Sequence, residues 1–365
     1  MKKVLALLLT ATMVIMLGSC GGNNQSTTTS QESGTAPAQT ESASSPESAT
    51  AETPKAKDKV TVMLNFTVQG DHSPWFVADA KGYFAEQNIE VDIQRGYGSG
   101  DTVQKVATGV AQVGFADIVP MIMSVAEGAK VKAVMGGIMN EPSALYSATE
   151  GANITSPKDM EGKTIGGPPA DVSIVLLEAV MKKAGADFSK VEVVNMDATT
   201  RLPMLATGQI DSAASFYEKT VLFTKALEEA NKNLVMWRYD EYINKYSCAI
   251  IVGDDMIDNN PDLVRRFLVA LLKGYEDALN EPDFGASYIM DKHPEFDSEY
   301  IHASAATLPD AVWDETAKEK GIGVFSPEKI QETLEIAEEY WDLARSVTAD
   351  EVYTNEFIEW AHANR

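Results

Sequence analysis

Cysteine, histidine and cationic charge are scarce in this chain of 365 residues. It has two cysteines, Cys20 and Cys248, and four histidines. No C-x-x-C, H-E-x-x-H or EF-hand spacing occurs, so a metal centre is not expected and no cofactor is implied. Thirty Lys+Arg stand against 54 Asp+Glu, a net charge of −24. That balance excludes a nucleic-acid partner, because phosphate contacts need clustered Lys and Arg, and it disfavours electrostatic docking on anionic lipid. No apolar run beyond residue 20 is long enough to cross a bilayer. A G-x-S-x-G elbow and a P-loop are missing, and Gly96-x-Gly98-x-Gly100 has the wrong spacing for a dinucleotide fingerprint. The common routes to hydrolase, nucleotide and redox chemistry are therefore closed, and the reading is of a protein that is not an enzyme.

What is present begins with a targeting segment. Met1-Lys2-Lys3 is a short basic stretch, and Val4 to Leu17 is almost wholly apolar. This has the length of a secretory signal rather than a membrane span. It ends in Leu17-Gly18-Ser19-Cys20, which resembles the bacterial lipoprotein cleavage box, with Cys20 as the lipidated first residue of the mature chain. Loss of residues 1–19 removes two lysines and moves the charge to −26. Residues 20–58 are Ser, Thr, Ala, Gly, Gln, Glu and Pro with almost nothing apolar, a composition that cannot build a core and reads as a disordered tether. Cys248 is then the one cysteine of the folded body. It has no disulfide partner, and its apolar run Cys248-Ala249-Ile250-Ile251-Val252 marks it as a buried small hydrophobe.

From residue 59 onward strands and helices alternate. Val60–Leu64, Ile89–Ile93, Gln112–Ala116 and Val131–Met135 read as strands, with helical patterns over 74–87, 102–109 and 118–127. A second unit starts near residue 150, with strands at 163–166, 191–194 and 210–214 and helices at 174–183 and 200–207. The spacing predicts α/β architecture with parallel sheets and right-handed crossovers. Val106-Ala-Thr-Gly109 and Leu205-Ala-Thr-Gly208 each close a helix before a strand, an echo that suggests two similar lobes. After a strand at 249–253 the chain reads as helical over 261–280, 284–292, 297–306, 311–320, 326–347 and 354–363.

Of the histidines, His293 and His362 sit in polar surroundings that suit solvated side chains, and His302 suits a structural role. His72 differs. It follows the first strand in Gln69-Gly70-Asp71-His72-Ser73-Pro74-Trp75, where α/β folds place ligands. His72 and Trp75 there could supply a hydrogen bond and a stacking face. The competing reading makes Ser73 an N-cap, Pro74 the first helical residue and Trp75 a core residue.

The run Leu64-Asn-Phe-Thr-Val-Gln-Gly-Asp-His72-Ser-Pro-Trp-Phe-Val-Ala78, closing on Lys81-Gly82-Tyr83-Phe84, resembles the opening of a solute-binding family of ABC importers. That family serves thiamine-pyrimidine precursors, alkanesulfonates, taurine and nitrate. Gly98-Ser99-Gly100, Val110–Gly114, Ser156–Gly166, Leu205–Asp211 and Tyr353–Phe357 extend the likeness in order along residues 60–360. The resemblance implies a two-lobed periplasmic-binding-protein fold of the second type with ligand in the interlobe cleft. Lobe one would be 60–148 plus 249–365 and lobe two 149–248, joined by extended crossings near 145–148 and 247–250. It implies a monomeric, extracytoplasmic receptor, held to the membrane only by lipid, that closes on a small-molecule solute and delivers it to the permease subunits.

Carried onto this chain, the ligand-binding candidates are Asn65, Phe66, His72 and Trp75 after strand one, Ser99 and Gly100 after strand two, and Asp117 after strand three. In lobe two they are Ala170, Asp171 and Ser173 at a helix start, Tyr217 and Glu218 after the strand at 210–214, and Trp237 and Tyr239. Asn65 and Phe66 stand where the family often has Asp and Trp, and Val68-Gln69 replaces Pro-Asn. Aromatics and carboxylates outnumber cations among these residues, and Arg201 is the one arginine near a cleft loop. An aromatic or heterocyclic solute of the pyrimidine-precursor kind is therefore expected. The alternatives are a sulfonate, taurine or nitrate receptor, or an enzyme resembling the pyrimidine synthases that share the fold.

Overall fold

The strand patterns resolve into two five-stranded sheets. The computed structural model describes residues 56–168 and 171–365, so the signal segment, Cys20, most of the tether, Pro169 and Ala170 lie outside the described residues. The first sheet takes β1 (Asp58–Met63), β2 (Ile89–Gln94), β3 (Val113–Asp117), β4 (Val131–Gly136) and β10 (Cys248–Gly253) in the order β2-β1-β3-β10-β4. The second takes β5 (Ser143–Ala148), β6 (Thr164–Gly167), β7 (Glu192–Asn195), β8 (Ser212–Phe216) and β9 (Leu234–Arg238) in the order β7-β6-β8-β5-β9. In β1, Val60 and Val62 turn into the core while Lys59 is exposed, the period of two that one buried face demands.

Both sheets are mixed, not parallel as expected. β1, β2 and β3 run parallel, as do β6, β7 and β8. β10 lies antiparallel to β3 and β4, and β5 antiparallel to β8 and β9. Each reversed strand enters its sheet directly from the other sheet, so no helical crossover sets its direction. This also moves the first crossing upstream of the expected 145–148. The chain leaves the first sheet at Gly136 and is already paired in the second at Ser143, so the link is 137–142. The return runs from the end of β9 to Cys248. The echoed Ala-Thr-Gly motifs fall at matching places, each closing a helix that leads into the central strand of its sheet.

The C-terminal helices pack on the first sheet. Helix Pro261–Asn280 lies against helix Ser73–Ala80 so closely that a Cβ on Gly274 would meet the Pro74 carbonyl oxygen at 2.4 Å. Trp75 is fully buried at this contact, edge-on to Phe115 at 5.7 Å and 6.2 Å from Phe267. The helix expected over 311–320 is two, Leu308–Val312 and Glu315–Lys320, because Asp314 breaks out to cap the second by accepting from Ala317 N–H. The helix expected over 326–347 stops at Tyr340. His362 is tied to the Ile322 carbonyl at 3.0 Å rather than solvated.

Candidate functional site

β1, parallel to β2 and β3, and β8, parallel to β6, end facing the gap between the sheets, and each is followed by a single 3₁₀ turn, Gly70–His72 and Tyr217–Lys219. These turns bring side chains from the two lobes to one cavity. It is lined by Asn65, Gln69, Asp71, Cys248, Thr307 and Ala311 from the first lobe and Phe216, Tyr217 and Glu218 from the second. Ile138, Pro142 and Ser247 close it from the crossings. The enclosed space is about 30 Å³, room for a water but not for an organic solute, so the lobes must part to admit one. A larger depression of about 750 Å³ lies beside the start of β3 and the end of β10, around Ala107–Gly109 and Gly253–Met256, and borders one lobe only.

His72 is completely buried and does not face the cavity. Its Nδ1 accepts from Gln69 N–H at 3.1 Å, which leaves Nε2–H to donate to Asn65 Oδ1 at 2.8 Å. Asn65 in turn donates to Cys248 Sγ at 3.4 Å. Burial pushes the His72 pKa down against the opposing pull of Asp71, in keeping with the unprotonated Nδ1 that the bond from Gln69 N–H requires. His72 thus orients Asn65, which does line the site. Cys248 is buried as expected, yet its thiol also forms part of the cavity wall, and burial raises its pKa well above the ordinary thiol value.

Several expected site residues stand elsewhere. Trp75 belongs to the first lobe's core, because helix Ser73–Ala80 turns that face toward Phe115 and Phe267. Trp237 and Tyr239 stack on each other at 5.3 Å in the second lobe's core. Gly100 is solvent-exposed in the first turn of its helix. Ser99 accepts from Asp117 N–H at 3.0 Å and so ties two loops together. Asp171 caps helix Val172–Lys183 through Ser173 N–H and pairs with Arg201 at 2.9 Å, while Arg201 also donates to Ser215. Ser173 is buried against Ser143 at 3.0 Å. Ala170 lies outside the described residues. Phe66 is 49 % exposed at the mouth, in a groove of about 280 Å³ with Leu222, Phe296 and Tyr300 that meets the cavity at Gln69.

Beneath the cavity a buried ionic cluster fixes the crossings. Lys245, 0 % exposed, donates to Glu141 Oε2 at 2.7 Å and to the Tyr246 carbonyl at 2.8 Å, with Asp117 Oδ2 at 3.8 Å. Glu141 Oε1 accepts from Ser143 N–H, and Asp117 accepts from Ser247 Oγ and Val119 N–H. Burial lifts the Asp117 pKa, with Lys245 pulling the other way. Sequence reasoning missed Lys245 and Glu141, since neither stands in a motif and only the fold makes them neighbours. It also passed over Asp71, one residue from His72.

Among the described residues, two carboxylates and no cation line the cavity. Glu218 Oε1, Asp71 Oδ1 and the Tyr217 hydroxyl are buried without a hydrogen-bond partner. The nearby arginines are engaged: Arg201 by Asp171, and Arg238 by Asp240 and Asp310 while it lies over the Tyr217 ring at 4.1 Å.

Comparison with known proteins agrees with this architecture. The family model described as NMT1/THI5 like matches residues 69–284. The riboflavin-binding protein RibY of Chloroflexus aurantiacus is 26 % identical over 333 residues, covering 88 % of this chain and 93 % of that one. The formylaminopyrimidine-binding protein of Halalkalibacterium halodurans is 25 % identical over 250 residues, 67 % of this chain and 74 % of that one. The 4-amino-5-hydroxymethyl-2-methylpyrimidine phosphate synthase of Schizosaccharomyces pombe is 24 % identical over 234 residues, 62 % and 67 % of the two chains. Among solved structures, the periplasmic aliphatic sulphonate binding protein SsuA of Escherichia coli superposes with a TM-score of 0.64 at 13 % identity, covering 80 % of this chain and 91 % of that one. The fold is that of the two-lobed periplasmic binding proteins.

Proposed function

The chain belongs to the NMT1/THI5-like family, and from that premise we propose that it is the solute-binding receptor of an ABC importer, which closes its lobes on a small organic solute and presents it to the permease. One observation carries the reading. The cavity draws on both lobes and on both crossings, so a solute seated there would bind the closed form in preference to the open one. The lobes of this reading are 56–142 with 248–365, and 143–247.

The walls favour a flat organic body over a bare anion. Phe216, Tyr217, Ile138 and Pro142 offer apolar and aromatic surface, while a sulfonate or nitrate would face Asp71 and Glu218 with every nearby arginine already paired. An aromatic or heterocyclic solute of the pyrimidine-precursor kind fits these walls. Receptor rather than synthase is supported by His72, the histidine of the family motif, which is fully buried with both ring nitrogens engaged and offers no open face to react. Lipidation of Cys20 would place the receptor on the outer face of a membrane. Labelling with a radioactive fatty acid that persists in Cys20→Ala would reject that anchor.

The test is a thermal-shift screen of pyrimidines, aromatic acids, sulfonates and nitrate. A binder present at a hundredfold excess over its Kd adds about 2.7 kcal/mol to stability. Stabilisation by an aromatic or heterocyclic compound is expected, and stabilisation by sulfonate or nitrate alone would reject this ligand class.

A further inference from the structure

Resting on the receptor reading, we propose that the solute carries a protonated nitrogen, an ammonium or amidinium group on an aromatic or apolar body, which seats between Asp71 and Glu218. The two carboxylates come from opposite lobes, each from the 3₁₀ turn that follows a sheet strand, and both face the same cavity. Each holds a buried oxygen without a hydrogen-bond donor, Asp71 Oδ1 and Glu218 Oε1. A buried acceptor left unpaired is costly, and two acidic ones are more so. Among the described residues no Lys, Arg or His lines the cavity to offset them. Lys219 Nζ stops 3.9 Å from Glu218 Oε1, and Arg201 is held by Asp171. A cation with several N–H groups would satisfy both oxygens at once, and it would do so only when the lobes close. Phe216 and the Tyr217 ring flank the site, and the Tyr217 hydroxyl is a further unpaired group for a polar substituent.

The protonation state of Glu218 agrees with this geometry. Burial pushes its pKa up to about 7, with Lys219 and Arg201 opposing the rise and Asp71 adding to it; the Glu218 charge in turn raises the Tyr146 and Tyr300 hydroxyls. A cation placed beside it would draw that pKa down, so binding near pH 7 should expel a proton from Glu218.

The test is calorimetry and thermal shift on the intact protein with aromatic ammonium and amidinium compounds (benzylamine, benzamidine and aminomethylpyrimidines) beside their neutral alcohols and their carboxylate and sulfonate counterparts. The cations are expected to bind with proton release, read from the dependence of the heat on buffer ionisation. Asp71→Asn and Glu218→Gln should each weaken the cation at least tenfold, and Glu218→Gln should abolish the release. A circular-dichroism melt checks that both variants fold. Binding confined to neutral or anionic members, or cation affinity unchanged in both variants, overturns this inference and leaves the receptor reading standing. If no compound of any charge class binds, both fall.

Discussion

Lys245 is the residue on which the crossings turn. It is wholly buried among Glu141, Asp117 and the Tyr246 carbonyl, and its charge is held by partners that would themselves be stranded without it. Lys245→Met should destabilise the protein by about 3–5 kcal/mol in urea denaturation, with much of the loss recovered when Glu141→Leu is added. Trp75→Ala should cost about 3–5 kcal/mol by opening a cavity beside Phe115 and Phe267, and it should act on the melting temperature of the free protein. His72 and Glu218 make opposed demands on pH. The depressed His72 pKa means that the unfolded chain takes up its proton first, so stability falls as pH drops below about 6.5. The raised Glu218 pKa means that the folded chain holds its proton longer, so that contribution is complete below about 4.5 and is lost as pH rises through about 7. Melting curves of wild type and Glu218→Gln from pH 4.5 to 7.5 should diverge, with wild type losing ground to the variant as pH rises. Parallel curves would show that Glu218 titrates normally.

At the scale of elements, the turn Gly70–His72 couples the first lobe's packing to the groups that line the cavity. A Cβ on Gly70 would lie 2.2 Å from Ala305 N and Ile301 O, and Gly70 N–H donates to Ser304 Oγ at 2.8 Å. The turn is therefore pressed against helix Ser298–Ala306, and Asp71 is aimed by that contact. Gly70→Ala should cost about 1–3 kcal/mol through overpacking and should weaken solute binding beyond what lost stability explains, as titration well below the melting temperature would show. Most of these elements are legible from hydrophobic period and turn residues. Helix Pro261–Asn280 falls where its pattern and its Asn260-Pro261 start place it. The directions of β5 and β10 are not legible, because strand polarity depends on which sheet the chain enters and a buried strand reads the same both ways.

For the whole molecule, the acidity is unevenly shared. Residues 143–247 carry 11 Lys+Arg against 14 Asp+Glu, whereas 56–142 and 248–365 together carry 16 against 36. The ion pairs between the lobes follow that asymmetry. Lys182 with Glu339, Lys183 with Glu332, Lys225 with Glu299 and Arg238 with Asp310 all place the cation on the second lobe and the carboxylate on the first. Such exposed pairs are weak singly and screened by salt, but in concert they favour closure. Raising ionic strength from about 0.01 M to 0.5 M should increase the radius of gyration of the solute-free protein in small-angle scattering, since the Debye length falls from about 30 Å to under 5 Å. A radius insensitive to salt would show that these pairs do not hold the lobes.

The sequence by itself determined that this is an acidic two-unit α/β body without metal or nucleotide motifs, and that the loops after its strands carry aromatic and acidic groups. Those features are local: period, composition and spacing survive any arrangement of the elements. It offered Glu218 and Tyr217 as candidates for their place after a strand and Asn65 through the family resemblance, and all three line the interlobe cavity. Only the tertiary structure decided that Trp75, Trp237 and Tyr239 are core, that His72 positions Asn65 instead of facing the cavity, and that Asp71, Cys248 and Thr307 face it. It alone brought Lys245 to Glu141, more than a hundred residues away in the chain. The physical reason is that an inward-facing aromatic and a cleft-facing one have the same local pattern. What separates them is which surface the opposite lobe covers, and that is fixed by long-range packing.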